Sequence, residues 1–109
     1  MSEIISSVTE NESDMDGKFL TFIVENQLYA MPIQHVVQIV SIQAINEIPD
    51  SADYLKGVIT LRGSIIPAID IRLRLTLSEK AYDERTCIIV VSLGEKEAGI
   101  IVDGVDAVV

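Results

Sequence analysis

Three features of the sequence predict an all-β barrel or sandwich. Apolar residues gather in about seven short runs rich in Val, Ile, Phe and Tyr, the side chains that fit a pleated and partly buried surface. Single glycines and turn dipeptides such as Gly63-Ser64 and Asp103-Gly104 punctuate those runs at regular spacing. Helical periodicity never persists beyond a turn or two, and no strand-helix alternation suggests a parallel α/β sheet.

The amino-terminal residues 1–17 hold five of the chain's 17 acids and no base, and their few apolar residues follow neither a strand nor a helix period. They predict a flexible acidic tail ahead of a domain over 18–109. Phe19-Leu-Thr-Phe-Ile-Val then reads as a strand buried on both faces, Glu25-Asn-Gln as a turn and Leu28-Tyr-Ala-Met as the returning strand. Pro32 suits the first position of a helix, and Ile33, Val36, Val37 and Val40 fall at helical spacing. The β-branched residues crowd so densely from Val36 to Ile42 that a short helical turn passing into a strand fits equally well. Pro49 is expected to close that strand. Asp50 or Ser51 would then cap one helical turn through Leu55, which Gly57 would end in a left-handed conformation.

Gly57 to Arg74 is the stretch with the most to say. Val58, Ile59 and Leu61, then Ile65, Ile66, Ile69 and Ile71, predict two strands joined by a tight turn at Gly63-Ser64, with Arg62 immediately before it. A guanidinium flanked by apolar residues is either paired locally, for which Asp70 is the candidate, or held out for a partner. Asp70 and Arg72, at i and i+2 of one strand, would share a face as an ion pair within the sheet or as a patterned edge for a partner. Ser78 to Glu84 reads as a loop, and Cys87 to Ser92 and Ala98 to Val102 as strands joined across Gly94. Val105 to Val109 runs apolar to the last residue, predicting an unpaired strand edge prone to association.

A chain of 109 residues can bury a core without staples, and its single Cys87, inside an apolar run, reads as a small buried hydrophobe. No apolar segment approaches the roughly 20 residues of a membrane-spanning helix. The net charge of −9 argues against nucleic acid or an anionic membrane as partner, although the tail holds five of the acids and leaves 12 against the 8 bases in the remainder. His35 is the only histidine and reads as a surface or capping residue on its turn. With one Cys, one His and scattered carboxylates, neither a zinc site nor an acid-base cluster can be assembled, and turn formation accounts for Asp103 and Asp106. The glycines are dispersed singly, so no phosphate loop or dinucleotide fingerprint exists, and no cofactor is expected. Residue by residue, the sequence describes a small acidic cytosolic β-barrel that binds protein.

Phe19-Leu-Thr-Phe with Tyr29, Val37-Gln-Ile, Ile48-Pro49, Tyr54-Leu-Lys-Gly57, Leu61-Arg-Gly63, Ile66-Pro67, Ile69-Asp-Ile-Arg72 and Gly99-Ile-Ile-Val-Asp-Gly-Val105 occur in one order. In this the chain resembles the CheW-type chemotaxis coupling proteins from about Phe19 onward. The resemblance implies two SH3-like β-barrel subdomains side by side, the first incomplete within these residues, and no enzymatic activity. It implies two partners: the regulatory domain of a chemotaxis histidine kinase, and the cytoplasmic tips of methyl-accepting receptors. Carried over by position, receptor contact falls to Val36, Gln38, Arg62 and Gly63, and kinase contact to Lys56, Gly57, Asp70 and Arg72. The chain departs from the family pattern at Gln38, where many members carry an acid, and in lacking strands and a terminal helix that follow Val-Asp-Gly-Val. A CheW-like regulatory module of a larger chain and a small-ligand-binding barrel are the alternative readings.

Overall fold

The computed structural model describes residues 17–109, so the expected tail lies almost wholly outside the described residues. Eight strands form two sheets. β1 (Phe19–Val24) and β2 (Gln27–Pro32) make the first hairpin, joined by Glu25 and Asn26, both at positive φ, and β8 (Gly104–Val108) pairs antiparallel with the other side of β1. The second sheet has the order β3-β6-β7-β5-β4, from β3 (Val36–Ser41), β4 (Leu55–Leu61), β5 (Ser64–Asp70), β6 (Cys87–Ser92) and β7 (Glu97–Val102). Only β5 and β7 run parallel, over three residue pairs.

The five-stranded sheet curls back on itself. After β3 the chain runs on to Asn46, which exchanges two 2.9 Å backbone hydrogen bonds with Val58 of β4 at the opposite end of the strand order. That bridge closes a small barrel filled by Ile59, Ile66, Ala68, Ile88, Val90 and Ile101. A second core lies between the sheets, where Leu20, Phe22, Val24 and Met31 meet Ile89, Val91, Ile100 and Val102. β6 and β7 therefore bury alternate side chains in two different cores, which is why they read as continuous apolar runs. The architecture is that of two SH3-like barrel subdomains, represented here by a closed five-stranded barrel and a three-stranded sheet packed on it.

Several expectations are corrected. The helical turn at Pro32 is a 3-10 turn over Ile33–His35 that passes into β3, one of the two outcomes the spacing allowed. β3 ends at Ser41, well before Pro49, because the chain leaves the sheet to reach β4. No helix forms between Asp50 and Leu55: the Ser51 hydroxyl donates back to the Ile48 carbonyl instead, and Gly57 lies inside β4. The hairpin turn is Arg62-Gly63 rather than Gly63-Ser64, since Leu61 pairs with Ser64. β5 stops at Asp70, whose carboxylate caps a short helix, α1 (Ile71–Arg74), by accepting from the Arg72 N–H at 3.0 Å. Val105 to Val109 is not left unpaired: β8 uses the free side of β1, and Val109 and Phe19 exchange hydrogen bonds at 2.8 and 2.9 Å. Cys87 is half-buried, its thiol donating to the Arg85 carbonyl at 3.3 Å, and burial raises its pKa.

Candidate docking surface

Arg62 and Gly63 form the two-residue turn between β4 and β5 with φ of 51° and 81°. Positive φ at both central residues is the signature of the mirror-image turn that matches strand twist, and for a non-glycine residue it costs on the order of 1–3 kcal/mol and persists only where the surroundings enforce it. Arg62 occupies that conformation while exposed, and its Nη2 donates to Oε1 of Gln38 on β3 at 3.0 Å. Two of the sequence-predicted receptor residues, 24 positions apart, are thus brought into contact. Asp70, the alternative partner considered for Arg62, is buried and engaged elsewhere.

Val36 is half-buried and packs against the inter-sheet core, so of the four predicted receptor residues it is the one turned inward. Its neighbours Val37 and Ile39 stand outward, 45% and 41% exposed, on the same edge strand as Gln38. The sequence reading passed over them as candidate contacts, although strict alternation along β3 with Val36 and Val40 inside would have placed them outside. Arg62 reaches Gln38, which alternates with Val36 and Val40 on one side of β3, while Val37 and Ile39 stand exposed on the other side of the same strand.

The predicted kinase residues divide differently. Lys56, half-buried on β4, pairs with exposed Glu79 at 2.7 Å, and that hydrogen bond raises the Lys56 pKa and lowers that of Glu79. Gly57 is buried at φ 149°, where a Cβ would stand 2.1 Å from the Asn46 carbonyl oxygen. It lets β4 approach the bridge that closes the barrel.

Asp70 and Arg72 are interior. The second carboxylate oxygen of Asp70 accepts from the Tyr82 hydroxyl at 2.8 Å, and burial followed by this bond raises the Tyr82 pKa. Arg72 points across the boundary between the sheets: Nη1 donates to Asp103 at 2.6 Å, Nη2 to Glu25 at 2.5 Å and Nε to the Ser78 carbonyl at 2.9 Å. Burial opposes its charge, and the two carboxylates more than compensate, holding its pKa above the ordinary value. The expected ion pair between Asp70 and Arg72 on one strand face is absent because α1 begins between them.

The His35 Nε2 is buried with no hydrogen-bond partner, and no group of three or more His, Cys, Asp or Glu side chains converges as metal ligands among the described residues. A cleft of about 360 Å³ beside Lys80, Asp83, Arg85 and Asp103 is also lined by Cys87, whose thiol donates to the Arg85 carbonyl. No helix among the described residues is long and apolar enough to cross a membrane.

A family model described as the CheW-like domain matches residues 18–109. The chain belongs to the CheW-like domain family. It is 38% identical over 91 residues to the chemotaxis protein CheW of Klebsiella aerogenes, a match covering 84% of this chain and 55% of the relative. To the CheW of Bacillus subtilis it is 36% identical over 92 residues, covering 84% of this chain and 59% of the relative. The chain thus spans a little over half the length of these curated CheW relatives. Among solved structures, the scaffolding protein TtCheW from Thermoanaerobacter tengcongensis superposes with a TM-score of 0.81 at 34% identity, covering 84% of this chain and 63% of that one. The CheW-like assignment also accounts for the paired sheets and for the shared core along β6 and β7.

Proposed function

We propose that this CheW-like chain is a non-enzymatic cytoplasmic scaffold that couples methyl-accepting chemotaxis receptors to the regulatory domain of a chemotaxis histidine kinase. The observation that carries the reading is Arg62, an exposed arginine held in a left-handed turn and hydrogen-bonded to Gln38 on β3, the strand that also carries exposed Val37 and Ile39. A guanidinium has five donors in a planar fork, and the bond to Gln38 uses one, so a carboxylate or carbonyl on a receptor tip can be taken by the others. Val37 and Ile39 add apolar surface on the same edge strand. Gly63 permits the turn, and Val36 anchors β3 behind the surface.

The kinase side is assigned to Lys56 with Glu79, next to the barrel closure at Gly57. Gly57, Asp70 and Arg72 support that side from within. Titration of the purified chain with a receptor signalling fragment and with the kinase regulatory domain tests the reading. Binding of each partner, with a ternary complex when both are present, is expected. Binding of neither, or mutual exclusion of the two, contradicts a coupling role.

A further inference from the structure

Asp70 and Arg72 came from the sequence as surface candidates, and their side chains instead reach into four separate segments. Asp70 caps α1 with one oxygen and holds Tyr82 with the other. Arg72 holds the β1–β2 turn through Glu25, the β7–β8 corner through Asp103 and the loop after α1 through Ser78, while its own carbonyl accepts from the Leu77 N–H at 2.7 Å. The corner and the turn are also tied directly. The Glu25 N–H donates to Asp103 Oδ2 at 2.9 Å, and the Asp103 N–H to the Ile23 carbonyl at 3.0 Å.

We infer that Arg72 is a strap that fastens the β1–β2 turn and the 75–86 loop to the five-stranded barrel, and that it acts on kinase docking as a positioning residue rather than as a contact. The loop it holds carries Glu79, and Glu79 is what orients Lys56. Only a guanidinium fits the geometry, because three of its donors serve acceptors on three different segments; a lysine has one nitrogen and reaches one of them. Its side chain is 8% exposed, which leaves little of it for a partner to touch. The docking half of this inference rests on the proposed function; the strap itself does not.

Amide hydrogen exchange on the full chain, read beside kinase-domain and receptor-tip titrations, tests both halves. Arg72→Gln and Arg72→Lys should each raise exchange at least about tenfold at the hydrogen-bonded amides of Glu25, Leu77 and Asp83, with the Ile88 to Val91 amides unchanged. Glu25→Gln, a milder variant that retains the other arms, should loosen the β1–β2 turn alone, read at the amide of residue 25. Kinase affinity should fall with Arg72→Gln while receptor affinity holds, and Lys56→Gln should lower kinase affinity with exchange unaltered. Lost kinase affinity with protection intact at both segments would make Arg72 a direct contact and overturn the inference, as would loosening that spreads into β6 or appears nowhere. A wild-type chain that binds no kinase domain defeats the proposed function, and the exchange pattern still decides the strap.

Discussion

Tyr82 carries the clearest pH signature in the molecule. Its hydroxyl is partly buried and donates to Asp70, so its folded pKa lies above the ordinary 10.0. Below pH about 10 the group is protonated in both states and its contribution is complete; above it the unfolded chain ionises first, and stability falls as pH rises. The Cys87 thiol, raised by burial from 9.0, acts with the same sign. Tyr82→Phe should therefore be less stable at pH 7, by about 1–3 kcal/mol for the unmatched Asp70 oxygen, yet lose stability less steeply above pH 10. Denaturant melts at pH 7 and pH 10.5 check this, and parallel slopes for the two proteins would contradict it. The residue scale is also where the sequence was least legible. Arg62 was marked by its flanking apolar residues, but its place inside the turn was hidden because arginine is a rare choice at positive φ, whereas Gly63-Ser64 looked like an ordinary turn pair. The partnership with Gln38 depends on barrel curvature that no local pattern encodes.

At the scale of elements, alternation and β-branched content located seven of the eight strands to within a few residues and overran the end of β3, and the two failures share a physical cause. Ile71 and Leu73 continue the alternation of β5, so α1 is invisible until Asp70 is seen capping it. Between Ser41 and Leu55 the β-branched run to Ile42 followed by Pro49 suggested a longer strand, and Asp50 or Ser51 a capped turn, whereas the real determinant is the approach of Asn46 to β4. Gly57 is the residue that permits that approach. Gly57→Ala would drive a Cβ into the Asn46 carbonyl and should cost at least about 2–3 kcal/mol by breaking the bridge, or prevent folding. Urea unfolding with circular dichroism measures it. A variant as stable as the parent would show that Gly57 is not needed for closure, and would return it to the candidate partner contacts.

The two sheets hold together as one molecule through the core they share and the charges that cross between them. Phe22 is fully buried in that core and stacks on Tyr29 with ring centroids 5.8 Å apart, so Phe22→Ala should cost about 3–5 kcal/mol and release the three-stranded sheet before the barrel. Exchange of β1 amides ahead of β6 amides in the variant is the expected result; simultaneous loss would mean that the sheets unfold as a single unit. The pairing of β8 with β1 was not legible in Val105 to Val109, because the register of a last strand is set by whichever edge is free in three dimensions. The central claim, a docking surface organised by Arg62, meets its most direct test in Arg62→Asn. Asn-Gly is the preferred pair for this turn, so the substitution relieves backbone strain while removing the guanidinium. Melting and receptor-fragment titration of that one variant should move in opposite directions, with stability unchanged or raised by up to about 1 kcal/mol and receptor affinity reduced at least about tenfold. Receptor affinity equal to that of the parent in a protein of equal or greater stability would contradict the assignment.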